Sequence, residues 1–126
     1  MGKPMSHISK ILVVEDNPLL LLDLCDLLTD LGYSPLPATN AGAGAHLLDA
    51  SIDALITDIE LGAGPDGLAL ARLAASTLPH LPIIVVSGGV RPTAADLPAG
   101  ALFFPKPYRV ETLVSVLHRP SHAQAA

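Results

Sequence analysis

Four short apolar runs in this chain end in groups that can do chemistry. Ile11–Val14 stops at Glu15 and Asp16, the run from Ala54 ends in Asp58, Ile83–Val86 stops at Ser87, and Ala101–Phe104 is followed by Pro105 and Lys106. Several carboxylates gathered in one place are costly unless something positive neutralises them. A hard divalent cation does so naturally, and Mg2+ with a few carboxylates, water and a phosphoryl group is a common arrangement. Lys106 would add a second positive charge, and Ser87 a hydroxyl able to donate to a phosphoryl oxygen. With these around it, one carboxylate could attack phosphorus in line while the others balance its charge. Asp58, alone at the end of its run, is the natural nucleophile.

Each residue also has a plain reading. A lone Asp after a strand is usually a cap or turn residue, and Glu15-Asp16-Asn17 is a plausible capping segment. Ser87 before two glycines reads equally well as a turn, and a lysine between prolines as a solvated loop charge. Their coincidence at the ends of matching runs is what favours a site.

The elements that must hold them follow from periodicity. A continuous apolar run without alternation suggests a strand covered on both faces, as in Ala54–Thr57. Lys10–Glu15 reads as the first strand. Asn17 and Pro18 then form an N-cap and first helical position, and the helix runs to about Leu31 before Gly32. Leu20, Leu24, Leu27, Leu28 and Leu31 fall on one face as a core stripe. Leu19 and Leu22 lie outside it, beside Asp23, Asp26 and Asp30, and form a candidate docking spot ringed by acid.

Pro35 and Pro37 place Tyr33–Ala38 at a sheet edge. Thr39 or Asn40 caps a second helix weakened by Gly42 and Gly44. A third strand spans Asp53–Thr57, a glycine-bearing loop Ile59–Pro65, and a third helix opens at Asp66-Gly67 and ends near Leu78. After the fourth strand, Pro82–Val86, the return segment carries Gly88, Gly89, Pro92, Pro98 and Gly100, so only Thr93–Leu97 can turn helically. A final helix presents Val110, Leu113, Val114 and Leu117 and stops before Pro120. Alternating strands and helices predict an α/β fold, a flavodoxin-like doubly wound five-stranded parallel sheet of order 2-1-3-4-5, with a shortened or missing fourth helix.

The 126 residues suffice for one domain, expected over residues 10–119 with flexible termini at 1–9 and 120–126 and no second domain as output. Net charge is -5 with only seven scattered basic residues, which argues against nucleic acid. No apolar run spans a bilayer and no signal segment is visible, so a cytoplasmic setting is expected. Cys25 is the lone cysteine, compatible with a reducing compartment. His7, His46, His80, His118 and His122 lack metal-ligand spacing. The site has no Ser-His-Asp or Cys-His set, and no dinucleotide loop follows the first strand.

Taken together, VVEDNP at Glu15 and Asp16, Asp58 after the third strand with DG at Asp66-Gly67, VVSGG at Ser87 and FFPKPY at Lys106 resemble the receiver domain of two-component response regulators. The resemblance implies that Asp58 is the phosphoacceptor and that Glu15, Asp16, Asp58 and the backbone carbonyl of Glu60 surround Mg2+. It implies Ser87 as switch hydroxyl, Lys106 as its cationic partner, Phe103 as switch aromatic, and a cis Lys106-Pro107 bond. Such a protein catalyses only its own phosphorylation and dephosphorylation. Its partners would be a histidine kinase or histidine phosphotransfer protein and an output protein, with Leu19 and Leu22 docking the donor's helical bundle. Three departures stand out: Gly62 where the family usually has proline, with one extra residue before Asp66-Gly67; Phe103, which has no hydroxyl; and the broken fourth helix, whose face is a candidate homodimer contact.

Two rival readings exist. A pseudo-receiver would keep the fold as an interaction module without phosphate turnover. An aspartyl-nucleophile phosphohydrolase would use Glu60, two residues after Asp58, as general acid, but the chain has no cap segment to hold a substrate.

Overall fold

The computed structural model describes residues 8–118. The expected termini before Ile8 and after His118, and with them His7, Pro120 and His122, lie outside the described residues. In chain order the elements are β1 (Lys10–Val14), α1 (Pro18–Asp30), β2 (Ser34–Ala38), α2 (Ala41–Leu47), β3 (Ala54–Asp58), α3 (Gly67–Thr77), β4 (Ile83–Ser87), a 3-10 turn (Ala94–Asp96), β5 (Leu102–Pro105) and α4 (Val110–Leu117). The five strands are parallel in the order β2-β1-β3-β4-β5, the flavodoxin-like arrangement the sequence predicts.

The apolar runs are continuous because both faces of the sheet are covered. Leu12, Val14, Leu55 and Val85 pack toward α2 and α3, while Ile11, Val13, Ile56, Ile84 and Val86 pack toward α1 and α4. Asn17 caps α1 by accepting from the Leu19 and Leu20 N–H groups, and Asp66 caps α3 by accepting from Ala69 N–H.

The buried face of α1 differs from the expected stripe. In α1 the buried leucines are Leu21, Leu24 and Leu28, whereas Leu20, Leu27 and Leu31 are exposed. A leucine-rich helix offers two stripes offset by about one position, and the sheet takes the one containing Leu21. Leu20 and Leu27 are thereby turned toward the segment around Pro107 and Tyr108.

The fourth crossover helix is reduced to the 3-10 turn, as the glycine and proline density predicts. The turn is held by Asp96, whose carboxylate accepts from Thr93 N–H at 2.8 Å and whose carbonyl accepts from Arg72 at 2.8 Å. β2 lies at one edge, with Ser34 N–H donating to Ser9 O and Ala38 O accepting from Glu15 N–H. At the other edge, β5 ends in Pro105, and the Lys106 N–H donates to Ser87 O at 2.9 Å. The Lys106-Pro107 bond is cis, as expected.

Candidate functional site

The carboxyl ends of β1, β3, β4 and β5 bring Glu15, Asp58, Ser87 and Lys106 to one edge of the sheet. Asp58 closes β3 and is 4% exposed; Ser87 closes β4 and is 2% exposed. Parallel registers align Asp58 with Val86 and Ser87 with Pro105, so these side chains belong to one crevice. Lys106 Nζ sits between two carboxylates, 2.9 Å from Glu15 Oε1 and 2.8 Å from Asp58 Oδ2. The second Glu15 oxygen accepts from Asn17 N–H at 3.0 Å, which ties the acidic pair to the start of α1.

Charge in the crevice is unevenly balanced. Burial pushes Asp58 up and the neighbouring Glu60 and Glu15 carboxylates add to this; the Lys106 ammonium only partly offsets them, leaving a pKa of about 6. For Glu15 burial also acts upward, but its bonds to Lys106 and Asn17 N–H outweigh it and hold the group below the usual range. Burial acts downward on Lys106, yet two carboxylate partners raise it well above an ordinary lysine. One ammonium thus serves two carboxylates, and Asp58 is the one left short.

Asp16 is exposed, and one oxygen from each of Glu15, Asp16 and Asp58 lies within 4.8 Å of the others. Three clustered carboxylates, two of them sharing a single ammonium, form a hard, all-oxygen, electron-rich set, which fits a small divalent cation. The loop beyond Asp58 turns through Gly62 at φ 74° and Gly64 at φ 92°. Proline, locked near φ of about -65°, cannot adopt that conformation, which accounts for glycine at residue 62.

Ser87 and Lys106 bond to different partners. Ser87 Oγ donates to Glu60 Oε2 at 2.6 Å and accepts from the N–H groups of Gly89 at 3.2 Å and Val90 at 2.8 Å. Val90 N–H also donates to Glu60 Oε2, at 2.9 Å. Burial tends to raise the Glu60 carboxyl, but the Ser87 and Val90 donors prevail and hold it at about 2. The family resemblance implies the Glu60 carbonyl as a metal ligand; the reach of its side chain to β4 follows from no pattern in the sequence. The only local signal for it is Gly89, where a Cβ would lie 3.3 Å from Glu60 Oε2. Phe103 is half-buried, packed on the α2 and α3 side opposite Val85 in the register.

Beside the crevice an open groove of about 460 Å³ runs between α1 and the β5–α4 junction. Glu15 and Lys106 stand at its polar end, and Leu20, Leu27, Pro107 and Tyr108 are among its apolar walls. Leu19 and Leu22 are exposed, at 77% and 58%, but they do not line it. The groove residues Leu20 and Leu27 belong to the stripe expected in the core. Around the 3-10 turn, Val90 and Leu102 are exposed. Among the described residues no helix is long and apolar enough to cross a membrane.

The sequence matches the family described as the response regulator receiver domain over residues 11–118. It is 32% identical over 120 residues to the nitrogen assimilation regulatory protein NtrX of Azorhizobium caulinodans, covering 91% of this chain and 26% of that protein. The chain therefore spans about a quarter of the length of that relative. A response regulator receiver protein from Sinorhizobium medicae superposes with a TM-score of 0.82 at 29% identity, covering 88% of this chain and 92% of the other. A Burkholderia pseudomallei response regulator protein, solved with a phosphorylated aspartic acid, calcium ion and citrate, superposes with a TM-score of 0.75 at 25% identity, over 93% and 71% of the two chains.

Proposed function

Because this chain belongs to the response regulator receiver domain family, we propose that Asp58 accepts a phosphoryl group from a phosphohistidine of a partner kinase or phosphotransfer protein. The observation that carries this assignment is the Asp58 carboxylate at the end of the central β3, bonded to Lys106 and grouped with Glu15 and Asp16. The Burkholderia protein, with its phosphorylated aspartic acid and bound calcium, supports the same chemistry here.

In the transfer an Asp58 oxygen forms a bond to phosphorus as the P–N bond to the donor imidazole breaks, and the bonding electron pair leaves with the imidazole nitrogen. Glu15, Asp16, Asp58 and the Glu60 backbone carbonyl would hold Mg2+, which supplies positive charge against the phosphoryl oxygens. Lys106 holds Asp58 in place before transfer and offers its ammonium to the new phosphoryl group afterwards. Ser87 then contacts a phosphoryl oxygen, and Phe103, lacking a hydroxyl, follows by repacking alone. The result is a signalling module whose output passes by protein contact.

The groove along α1 supports a docking role for the donor. It leads directly to the Glu15 and Lys106 end of the crevice, and its walls combine exposed leucine with acidic Asp23. A helix carrying the donor histidine, with apolar and basic neighbours, is the occupant that suits it.

Intact-mass analysis after incubation with Mg2+ and phosphoramidate tests the assignment. A single added phosphoryl group that requires both Mg2+ and Asp58 is expected, and Asp58→Asn should gain none. Absence of an adduct in the unaltered protein would favour an interaction module that does not turn over phosphate.

A further inference from the structure

A serine hydroxyl carries one proton, and that of Ser87 is already committed. It is donated to Glu60 Oε2 at 2.6 Å, while both short backbone contacts of the same oxygen, from Gly89 and Val90, use it as an acceptor. The same Glu60 oxygen collects Val90 N–H at 2.9 Å, so one carboxylate ties the start of the β4–β5 connection to the end of β3. Glu60 is also tied to Asp58 itself, its N–H donating to Asp58 Oδ1 at 3.3 Å. It is a resident anion beside the acceptor, occupying a donor that an anion on Asp58 would need. Gly89 leaves room for the reach, since a Cβ there would stand 3.3 Å from Glu60 Oε2, inside ordinary contact distance.

We propose that Glu60 is a positioning residue that holds Ser87 and Val90 in the unphosphorylated arrangement and must be displaced before Ser87 can bond a phosphoryl group. The inference rests on Asp58 being the acceptor. Two claimants compete for one proton: the Glu60 carboxylate keeps the loop where it is, and a phosphoryl group on Asp58 takes the proton while its negative charge repels the carboxylate it replaces. Glu60 thereby sets how far the site favours the resting loop.

Beryllofluoride with Mg2+, used as the phosphoryl mimic and followed by 15N NMR on the full chain, measures this competition. Losing one charge-assisted hydrogen bond to the resident anion should let Glu60→Ala bind beryllofluoride about tenfold more tightly than the unaltered protein. In a Ser87→Ala background the same substitution should change affinity by less than about threefold, because the contested proton is gone. Equal tightening in both backgrounds would overturn the proposal, since it would reduce Glu60 to simple charge repulsion. No tightening in either would overturn it as well.

Should the unaltered protein fail to bind beryllofluoride, the reading of Asp58 fails, and a ligand-free measurement still decides the role of Glu60. In the Ser87→Ala background, where the Ser87 acceptor of Val90 N–H is gone and the Glu60 one remains, amide exchange at Val90 is expected to rise about tenfold on Glu60→Ala; an unchanged rate would remove the contact on which the proposal stands.

Discussion

A Cβ placed on Gly67 would fall 1.7 Å from the carbonyl oxygen of Asp58. The first residue of α3 is packed directly on the backbone of Asp58, with Gly67 N–H donating to Ile59 O at 2.9 Å. No other residue type fits there, because the obstacle is main chain and cannot rotate away. The helix start thereby fixes where Asp58 sits.

Gly67→Ala should therefore lower unfolding free energy by about 2–4 kcal/mol, at the upper end for an overpacked site. Urea denaturation measures it. A loss below about 0.5 kcal/mol would mean that α3 backs away from β3 without cost.

Asp58 gives a stability prediction with a definite sign. Its folded pKa of about 6 lies above the ordinary carboxylate value of 3.8, so its ionisation costs stability at neutral pH and the cost disappears as the group protonates. In metal-free solution Asp58→Asn should be more stable than the unaltered protein by about 1–3 kcal/mol at pH 7.5. The gap should shrink through pH 6 and close near pH 4. A gap that widens on acidification would contradict the burial argument.

Removing Lys106 leaves Glu15 and Asp58 facing each other without a counter-ion. Lys106→Met is expected to lose about 2–4 kcal/mol at pH 8. Because the proposed divalent cation would serve the same oxygens as the ammonium, saturating Mg2+ should raise the melting temperature of this variant by more than that of the unaltered protein. Equal shifts would place the ion away from Glu15 and Asp58.

The groove separates two pairs of leucines. Leu20→Ala with Leu27→Ala should slow transfer from a phosphohistidine donor by about tenfold, comparable to losing one interface anchor. Labelling by phosphoramidate should be unaffected. Leu19→Ala with Leu22→Ala, outside the groove, should have the smaller effect; the reverse order would put the donor on the outer face of α1.

Much of this arrangement is legible in the chain because it depends on local rules. Apolar runs that stop at Glu15, Asp58 and Ser87 reveal strand ends, Pro35 and Pro37 reveal an edge, and crowded glycine and proline after Ser87 reveal a lost helix. What escapes is decided by neighbours distant in sequence. The rotation of α1, which buries Leu21 and exposes Leu20 and Leu27, is set by the sheet beneath it, and the leucine pattern accommodates either choice. The bond from Ser87 to Glu60 spans 27 positions and depends on how the β3 loop folds back, which no periodicity encodes.

The prolines at the two sheet edges carry a further consequence. Ser34 and Ala38 point their backbone groups toward β1, so by the alternation of a strand Pro35 and Pro37 face outward, where neither can donate. On β5, Lys106 N–H faces β4, which turns the backbone groups of Phe103 and Pro105 outward, and Pro105 again has no donor. An incoming strand would find no amide at three of these four outward positions. The sheet is thereby a poor template for fibril growth at either margin.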